Sequence, residues 1–416
     1  MTTTDLPAGV RARWLAVTAV AVGTFTIVTS EMLPVGLLTT IAAGLEVSDG
    51  TAGLMMSAPG LVAAVSAPVL AVTTRRLDRR LTLLALMALL AVANLVAAFA
   101  PNYPVMLAAR VLTGVSIGGF WAFAAGLGVR LVPERSVGRA TSIILAGVSV
   151  ASVLGVPAAT FLSSFAGWRT AFAAMGVVAL ALLALLAATL PPMPGDRPAD
   201  RTSVPPGQTA SERPANRAAE PLEDAAAAHP PGGRLAWLSR PLKVVLVLTV
   251  LIISGHFAAY TYLRPFLEQV AQAGPALIGT ALLLYGAAGV AGNFAAGARA
   301  AMNPRAVLIA LVALMSLAMA ALPLIGLPLV LLVVWGLGYG GVGVTLQLWI
   351  MRSGGGELGT ALFVSAFNLS IALGALAGGR IVDDVSTSAV MWLGAALAMV
   401  SAVVAGIWGR SRTTGS

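Results

Sequence analysis

Runs of apolar residues long enough to cross a lipid bilayer recur along almost the whole chain. A hydrocarbon layer of ~30 Å takes roughly 20 apolar residues of helix, and only 10% of the 416 residues are charged whereas 58% are hydrophobic. No stretch between these runs is composed like a soluble catalytic domain. The sequence therefore predicts an all-α membrane protein, because a helix satisfies its own backbone hydrogen bonds in lipid.

Twelve runs are separated by charge, proline and glycine, and they are the predicted spans 1 to 12. They lie near residues 14–38, 52–73, 82–100, 104–127, 140–163, 170–190, 243–264, 276–297, 306–323, 328–350, 357–378 and 388–409. The glycine pattern of residues 114–118 in span 4 has a counterpart at 336–340 in span 10. This repeated glycine pattern predicts two six-helix halves related as parallel repeats.

The polar stretch at residues 191–240 separates the two groups of six runs. It is rich in proline, alanine, arginine and acidic residues and has no apolar periodicity, which predicts a flexible cytoplasmic linker. The predicted organisation is an N-tail at 1–13, an N-terminal bundle at 14–190, the linker at 191–240, a C-terminal bundle at 241–409 and a C-tail at 410–416.

The distribution of basic residues predicts the orientation in the membrane. The two tails, the linker and the even-numbered connections hold 21 of the 25 Lys and Arg residues, and such loops remain in the cytoplasm. Both termini are therefore expected to be cytoplasmic. The arginine-rich and alanine-rich composition is typical of a bacterial gene, so the expected location is the bacterial inner membrane. The net charge of +9 reflects these loop clusters and does not indicate a nucleic-acid partner.

Several classes of chemistry are unsupported. The chain has no cysteine, which excludes disulfides and thiol catalysis, and His229 stands alone in the linker, so no metal site is expected. The residues from Gly336 to Gly341 match a dinucleotide-binding pattern, but they lie in an apolar run without a preceding strand and indicate close helix packing. Without a phosphate loop or a nucleophile with its base in the spans, the chain is expected to use no cofactor and to be no enzyme.

Three segments together resemble one transporter family. They read TSEMLPVG at residues 29–36, RVLTGVSIGGFW at 110–121 and GVSVASVLGVP at 147–157. The sequence resembles the major facilitator superfamily, in particular the drug:proton antiporter group that includes arabinose, sugar and nucleoside efflux permeases. The resemblance implies the major facilitator fold and favours export, because Gly147, Gly155 and Pro157 look like the family's antiporter signature in span 5.

The connection between spans 2 and 3 departs from the family pattern. The family usually has Gly-x-x-x-Asp-Arg-x-Gly-Arg-Lys there. In this chain the basic positions are Arg75, Arg76, Arg79 and Arg80, and the acidic residue, Asp78, comes three positions later than in the pattern. Asp78 is expected to serve a shifted version of the family's cytoplasmic latch.

Glu31 is the leading candidate for proton coupling, because a carboxylate at the centre of a membrane helix costs about 2.5 to 3.5 kcal/mol on insertion scales. Glu31 and Arg110 are predicted at similar depth in spans 1 and 4, counting 1.5 Å per residue. We expect Glu31 to carry the proton and Arg110 to tune its proton affinity. The alternative is a static ion pair that fixes helix packing. His256 is a second protonatable candidate or a neutral hydrogen-bonded packing residue.

Polar and aromatic side chains within other spans are candidates for the wall of a substrate cavity, since they offer stacking and hydrogen bonds. These are Phe120, Trp121, Tyr260, Asn293, Gln347 and Asn368. The alternative for each is helix packing. Tyr260 and Tyr262 would then be interfacial anchors, and Asn368 would hydrogen-bond across helices.

The sequence thus predicts a monomeric transporter in the lipid bilayer that exports a small drug, sugar or nucleoside in exchange for protons. Two alternatives stay open at this point. One is an importer or uniporter on the same fold, and the other is a non-transporting membrane receptor or scaffold that acts through the linker.

Overall fold

The structure is a computed structural model that describes residues 8–194, 239–353 and 356–408. Residues 1–7, most of the predicted linker including His229, and residues 409–416 lie outside the described residues. The predicted division of the chain at residues 191–240 therefore stays a prediction.

Twelve helices in the described part of the chain are long and apolar enough to cross a membrane. The spans are Arg13–Gly44, Asp49–Thr73, Arg79–Ala98, Tyr103–Phe123, Glu134–Ala166, Trp168–Thr189, Arg240–Thr261, Pro275–Ala300, Pro304–Ala321, Pro328–Arg352, Gly359–Asp384 and Thr387–Trp408. They follow the predicted order and confirm an all-α membrane protein with twelve spans in two six-helix halves.

Two helix ends lie beyond their predicted positions. The helix of span 1 continues to Gly44 instead of residue 38, because Leu38 and Ile41 are wholly buried and carry its apolar face further. Span 11 continues to Asp384, so Arg380, which was predicted in a loop, lies within a helix.

A short helix, Leu263–Gln269, follows span 7 where a loop was predicted. Arg264 of this helix is buried instead of lying in a solvent-exposed loop. Its guanidinium contacts the Glu268 carboxylate at 2.8 Å and donates a hydrogen bond to the carbonyl of Gly36 in span 1. The basic residue therefore serves to join the two halves.

Proline and glycine interrupt several spans. Pro34 lies inside the helix of span 1, and Pro59 and Pro68 lie inside that of span 2. Each removes a backbone N–H and with it one helical hydrogen bond. In span 5 a π-helical turn at Ala151–Gly155 precedes Pro157, a local widening that inserts an extra residue into the helical turn.

The glycines of span 5 allow it to pack directly on span 1. A Cβ added to Gly147 would collide with the backbone of span 1 at Ala21, and one added to Gly155 would meet the side chain of Thr29. The glycines of span 10 act in the same way, since a Cβ on Gly336 would meet the carbonyl of Tyr285. This confirms that the dinucleotide-like pattern reflects helix packing.

The end of the bundle that carries residues 194 and 239 is called the linker end, and the opposite end is called the far end. At the far end, the Asp383 carboxylate of the second half accepts hydrogen bonds from Ser48 Oγ at 2.7 Å and from the Gly50 N–H at 2.9 Å. The hydroxyl of Tyr262 donates to the Ala375 carbonyl at 2.8 Å and lies 3.4 Å from that of Gly50.

The hydrogen bonds of Asp383, Tyr262, Arg264 and Gln269 to the first half all lie on this side of the bundle. The structure therefore has the far end closed.

Replacement of Asp383 by alanine is expected to open the far end more often, because the charged acceptor of two hydrogen bonds is lost. A loss of about 1 kcal/mol would shift the equilibrium roughly fivefold. The chain has no cysteine, so one can be placed at the fully buried Ala52 and its labelling by an impermeant maleimide measured. The Asp384→Ala variant is the control, and equal labelling rates in the two variants would contradict a latch at Asp383.

Two glycine-to-alanine changes in span 5 are expected to have opposite effects on stability. Gly147→Ala should lower the apparent Tm in detergent, because overpacking costs about 1–3 kcal/mol. Gly138→Ala meets nothing within 4 Å and should be neutral or stabilising, since alanine favours helix by about 1 kcal/mol. The measurement is thermal unfolding of both variants. Equal shifts would show that span 5 does not depend on contact at Gly147.

Candidate functional site

Glu31 lies deep in span 1 at the boundary between the two halves. Its side chain is only 7% exposed, and its neighbours Met32 and Val35 pack against the apolar core of the second half. Among the described residues, no basic nitrogen lies within 4.0 Å of its carboxylate. Arg110 of span 4 lies close enough to interact with it electrostatically, and Tyr339 of span 10 is within the same range. Glu31 is therefore a buried acid without an ion pair that is near the second half.

Arg110 of span 4 is 1% exposed and does meet Glu31, as equal depth predicted. The contact, however, is with the main chain. The Nη2 group donates to the Glu31 carbonyl at 2.8 Å, Nη1 to the Ser30 carbonyl at 2.8 Å and Nε to the Met55 carbonyl at 3.0 Å. The predicted static ion pair is wrong for this conformation, because the guanidinium is directed at backbone carbonyls.

Asn94 of span 3 holds the same turn of span 1 and was not among the predicted site residues. Its Nδ2 donates to Ser30 Oγ at 3.1 Å and to the Leu90 carbonyl at 2.9 Å. A buried amide within a membrane helix is costly unless it is paired. That rule could have identified Asn94 from the sequence.

His256 of span 7 lies within a buried group of rings in the second half, which we call the aromatic cluster. Its members are His256, Phe257, Tyr260, Tyr285, Trp335 and Tyr339. The imidazole stacks on the Tyr339 ring with the centroids 3.4 Å apart and on the Tyr260 ring at 5.0 Å.

The hydrogen bonds of His256 identify its tautomer. Trp335 Nε1 lies 3.2 Å from His256 Nδ1, and an indole N–H can only donate. Nδ1 is therefore the acceptor, and the remaining proton is on Nε2, which lies 3.5 Å from the Tyr285 hydroxyl. This geometry is that of a neutral packing residue, the alternative stated for His256 from the sequence.

The sequence analysis missed four members of the cluster. Trp335 and Tyr339 are four residues apart in span 10, as are His256 and Tyr260 in span 7. Residues at this spacing share one helix face, and two such pairs were a signal that could have predicted the cluster. The interfacial-anchor alternative for Tyr260 and Tyr262 is wrong, because both side chains are buried.

The remaining predicted cavity residues have different local surroundings. Phe120 belongs to the core of the first half and packs edge-to-face on Trp121 with the centroids 6.0 Å apart. Asn293 is half-buried and Gln347 is exposed. The Asn368 amide donates at 2.9 Å to the Val364 carbonyl of its own helix, so the expected cross-helix hydrogen bond is not found in the described part of the chain.

Asp78, in the connection between spans 2 and 3, contacts other residues of the first half. Asp78 Oδ1 accepts from the Arg80 N–H at 2.7 Å and from the Met193 N–H at 3.1 Å. The Arg79 guanidinium lies 4.7 Å above the Phe123 ring, whereas Arg75 and Arg76 are exposed. In this conformation Asp78 caps a helix and fastens the connection to the end of span 6.

Curated relatives match nearly the full length of the chain. It is 33% identical over 406 residues to the transcription regulatory protein OpdE of Pseudomonas aeruginosa, which covers 96% of this chain and 94% of that protein. It is 26% identical over 400 residues to a probable sugar efflux transporter of Mannheimia succiniciproducens, covering 94% and 93%. It is 27% identical over 380 residues to a probable sugar efflux transporter of Helicobacter pylori, covering 90% of each.

Solved structures share the fold. The human organic anion transporter MFSD10 aligns with a TM-score of 0.62 at 19% identity, over 96% of this chain and all of that one. A bacterial homologue of the human lysosomal transporter Spinster, in an inward-facing and unoccupied conformation, aligns with a TM-score of 0.68 at 15% identity over 95% of each chain.

The sequence profile described as the Major Facilitator Superfamily matches residues 20–364. This match spans both halves of the described helical bundle. Together with the twelve spans and the full-length relatives, it establishes that the chain belongs to the Major Facilitator Superfamily of multi-pass membrane transporters and is not an enzyme.

Proposed function

We propose that this transporter exports a sugar-like molecule in exchange for protons, with Glu31 as the proton carrier. The observation that carries the proposal is the buried Glu31 carboxylate, which has no ion pair and lies at the boundary of the halves close to Tyr339. The two relatives named as probable sugar efflux transporters support the substrate class and the direction.

The position of Glu31 suits a group that gains and loses a proton during transport. An unpaired carboxylate in a membrane helix costs about 2.5 to 3.5 kcal/mol, and a proton is the smallest cation that removes this charge. A static ion pair would hold the acid charged in every state. Because Arg110 donates its hydrogen bonds to three carbonyls, it does not hold the Glu31 carboxylate in an ion pair.

The aromatic cluster offers a suitable face for a sugar. The C–H face of a sugar ring packs on aromatic rings, and its hydroxyl groups take hydrogen bonds from nearby polar atoms. Tyr339 is only half-buried, whereas His256 and Trp335 are covered. Tyr339 is therefore the member of the cluster that a substrate would meet first. His256 would hold the cluster in shape as a neutral residue.

The conformation fits one step of an alternating-access cycle. The basic residues concentrate at the linker end, which supports a cytoplasmic linker end in the bacterial inner membrane. With the far end closed, the state is then closed toward the outside. Substrate would bind from the cytoplasm as Glu31 releases its proton, and a proton from outside would replace the substrate after reorientation. One charge moving through 100 mV contributes about 2.3 kcal/mol.

A second function is favoured by one relative. OpdE is named a transcription regulatory protein and is 33% identical to this chain over nearly its full length. A non-transporting regulator would act through the linker and would not need a protonatable Glu31. The division into two bundles around the linker, the monomeric state and the substrate class remain predictions.

Addition of substrate to purified protein in weakly buffered detergent is expected to release protons, because substrate binding and protonation of Glu31 exclude each other. Monosaccharides, disaccharides, nucleosides and cationic drugs are screened with a fluorescent pH indicator. Glu31→Gln should abolish release, and Glu46→Gln, at an exposed glutamate, should retain it. Equal release from wild type and Glu31→Gln would make His256 the next candidate, and binding without release would rule out proton antiport.

Replacement of residues 200–235 by a Gly/Ser segment of the same length is expected to leave transport intact, because such a segment preserves the reach of the linker. The measurement is accumulation of the identified sugar in everted vesicles with an acidic interior. Accumulation identifies an exporter, and accumulation only under the opposite gradient identifies an importer. Absence of transport in both wild type and variant would favour the regulatory function.

A further inference from the structure

Two prolines leave backbone carbonyls without partners at the same depth of the first half. A helical carbonyl accepts from the N–H four residues later, and proline has no N–H. Pro34 therefore frees the carbonyl of Ser30, and Pro59 frees that of Met55. Inside a bilayer no water is at hand to replace the lost hydrogen bonds. Both carbonyls need another donor.

Arg110 supplies a donor to each of these carbonyls. Its Nη1 lies 2.8 Å from the Ser30 oxygen and its Nε lies 3.0 Å from the Met55 oxygen. The third bond, from Nη2, goes to the carbonyl of Glu31 at 2.8 Å. One guanidinium on span 4 thus replaces both of the backbone hydrogen bonds that proline removes from spans 1 and 2. We call these two missing bonds the proline gaps.

We propose that Arg110 is a positioning residue, which replaces the backbone hydrogen bonds that Pro34 and Pro59 remove and thereby places the Glu31 carboxylate at the boundary of the halves. Arg110 acts by holding main-chain carbonyls. It does not act as a positive charge that competes with the proton for the Glu31 carboxylate. The value of placing the Glu31 carboxylate rests on the proposed role of Glu31, whereas the replacement of the hydrogen bonds that the two prolines remove does not.

The chemistry of arginine explains why this residue type is required. Its planar guanidinium presents N–H groups in several fixed directions, whereas a lysine is a single point of charge. Three carbonyls on two helices therefore match arginine only. The next residue on the same face, Gly114, allows span 2 to approach, because a Cβ there would lie 2.7 Å from the Pro59 carbonyl oxygen.

The turn that carries Glu31 is then fixed from three other helices. Arg110 holds its carbonyl, and Asn94 holds the Ser30 hydroxyl at 3.1 Å. Met55 ties the same guanidinium to span 2. The carboxylate itself takes no hydrogen bond or ion pair from the described residues, so the backbone is rigid while the acid remains available for a proton.

The test restores the missing N–H groups. Arg110→Met is compared in the wild-type background and in a Pro34→Ala/Pro59→Ala background by thermal unfolding in detergent. In the wild-type background we expect the apparent Tm to fall by more than about 5 °C. In the double background the fall should shrink by at least half, because alanine N–H groups now satisfy both carbonyls. Pro68→Ala, which restores the N–H for a different carbonyl of span 2, is the control and should rescue nothing.

An equal fall of the Tm in all backgrounds would overturn the repair of the proline gaps. If the double variant unfolds, Pro34→Ala and Pro59→Ala are measured singly, and each should recover part of the loss. Substrate-induced proton release is the second readout. It should return with the Tm in the Arg110→Met/Pro34→Ala/Pro59→Ala protein.

Recovery of the Tm without recovery of proton release would show that the charge of Arg110 is needed, which would overturn its purely positional role. Failure of the proposed role of Glu31 has a separate signature. In that case Glu31→Gln would leave proton release unchanged, while the rescue of the Tm would still be seen.

Discussion

Every main-chain carbonyl inside a bilayer needs a hydrogen-bond donor, and this constraint organises the first half of the molecule. A helix without proline meets this need with its own N–H groups, but Pro34 and Pro59 each remove one N–H from spans 1 and 2. The donor comes from Arg110, and the close approach of spans 2 and 4 comes from Gly114. Carbonyls that proline would otherwise leave unsatisfied in lipid become part of a stable packing arrangement.

The two halves contribute different chemistry to their common boundary. The first half brings a single carboxylate on a backbone held by spans 2, 3 and 4. The second half brings aromatic rings ordered around His256, among which Tyr339 is the least buried. At the far end, the carboxylate of Asp383 joins the halves through Ser48 and Gly50.

The twelve spans and their order could be predicted from the sequence, because the length of an apolar run is a local property. The meeting of Glu31 with Arg110 was also predictable from depth, since helices cross the membrane at a known rise per residue. The partner atoms were not predictable. Whether a guanidinium meets a carboxylate or a carbonyl depends on the rotation of each helix, and the burial of Arg264 depends on how the two halves dock.

The separation of acid and aromatic rings between the halves has an evolutionary consequence. Spans 7, 8 and 10 can vary their aromatic residues without altering the hydrogen bonds from Arg110 that hold the backbone at Glu31. Spans 1 to 4 can then stay unchanged while the ligand changes. Under the proposed function, one proton-coupling half would thus serve a series of descendants with different substrates. Relatives of this chain would then be expected to diverge fastest in the half that meets the ligand and slowest around the paired prolines.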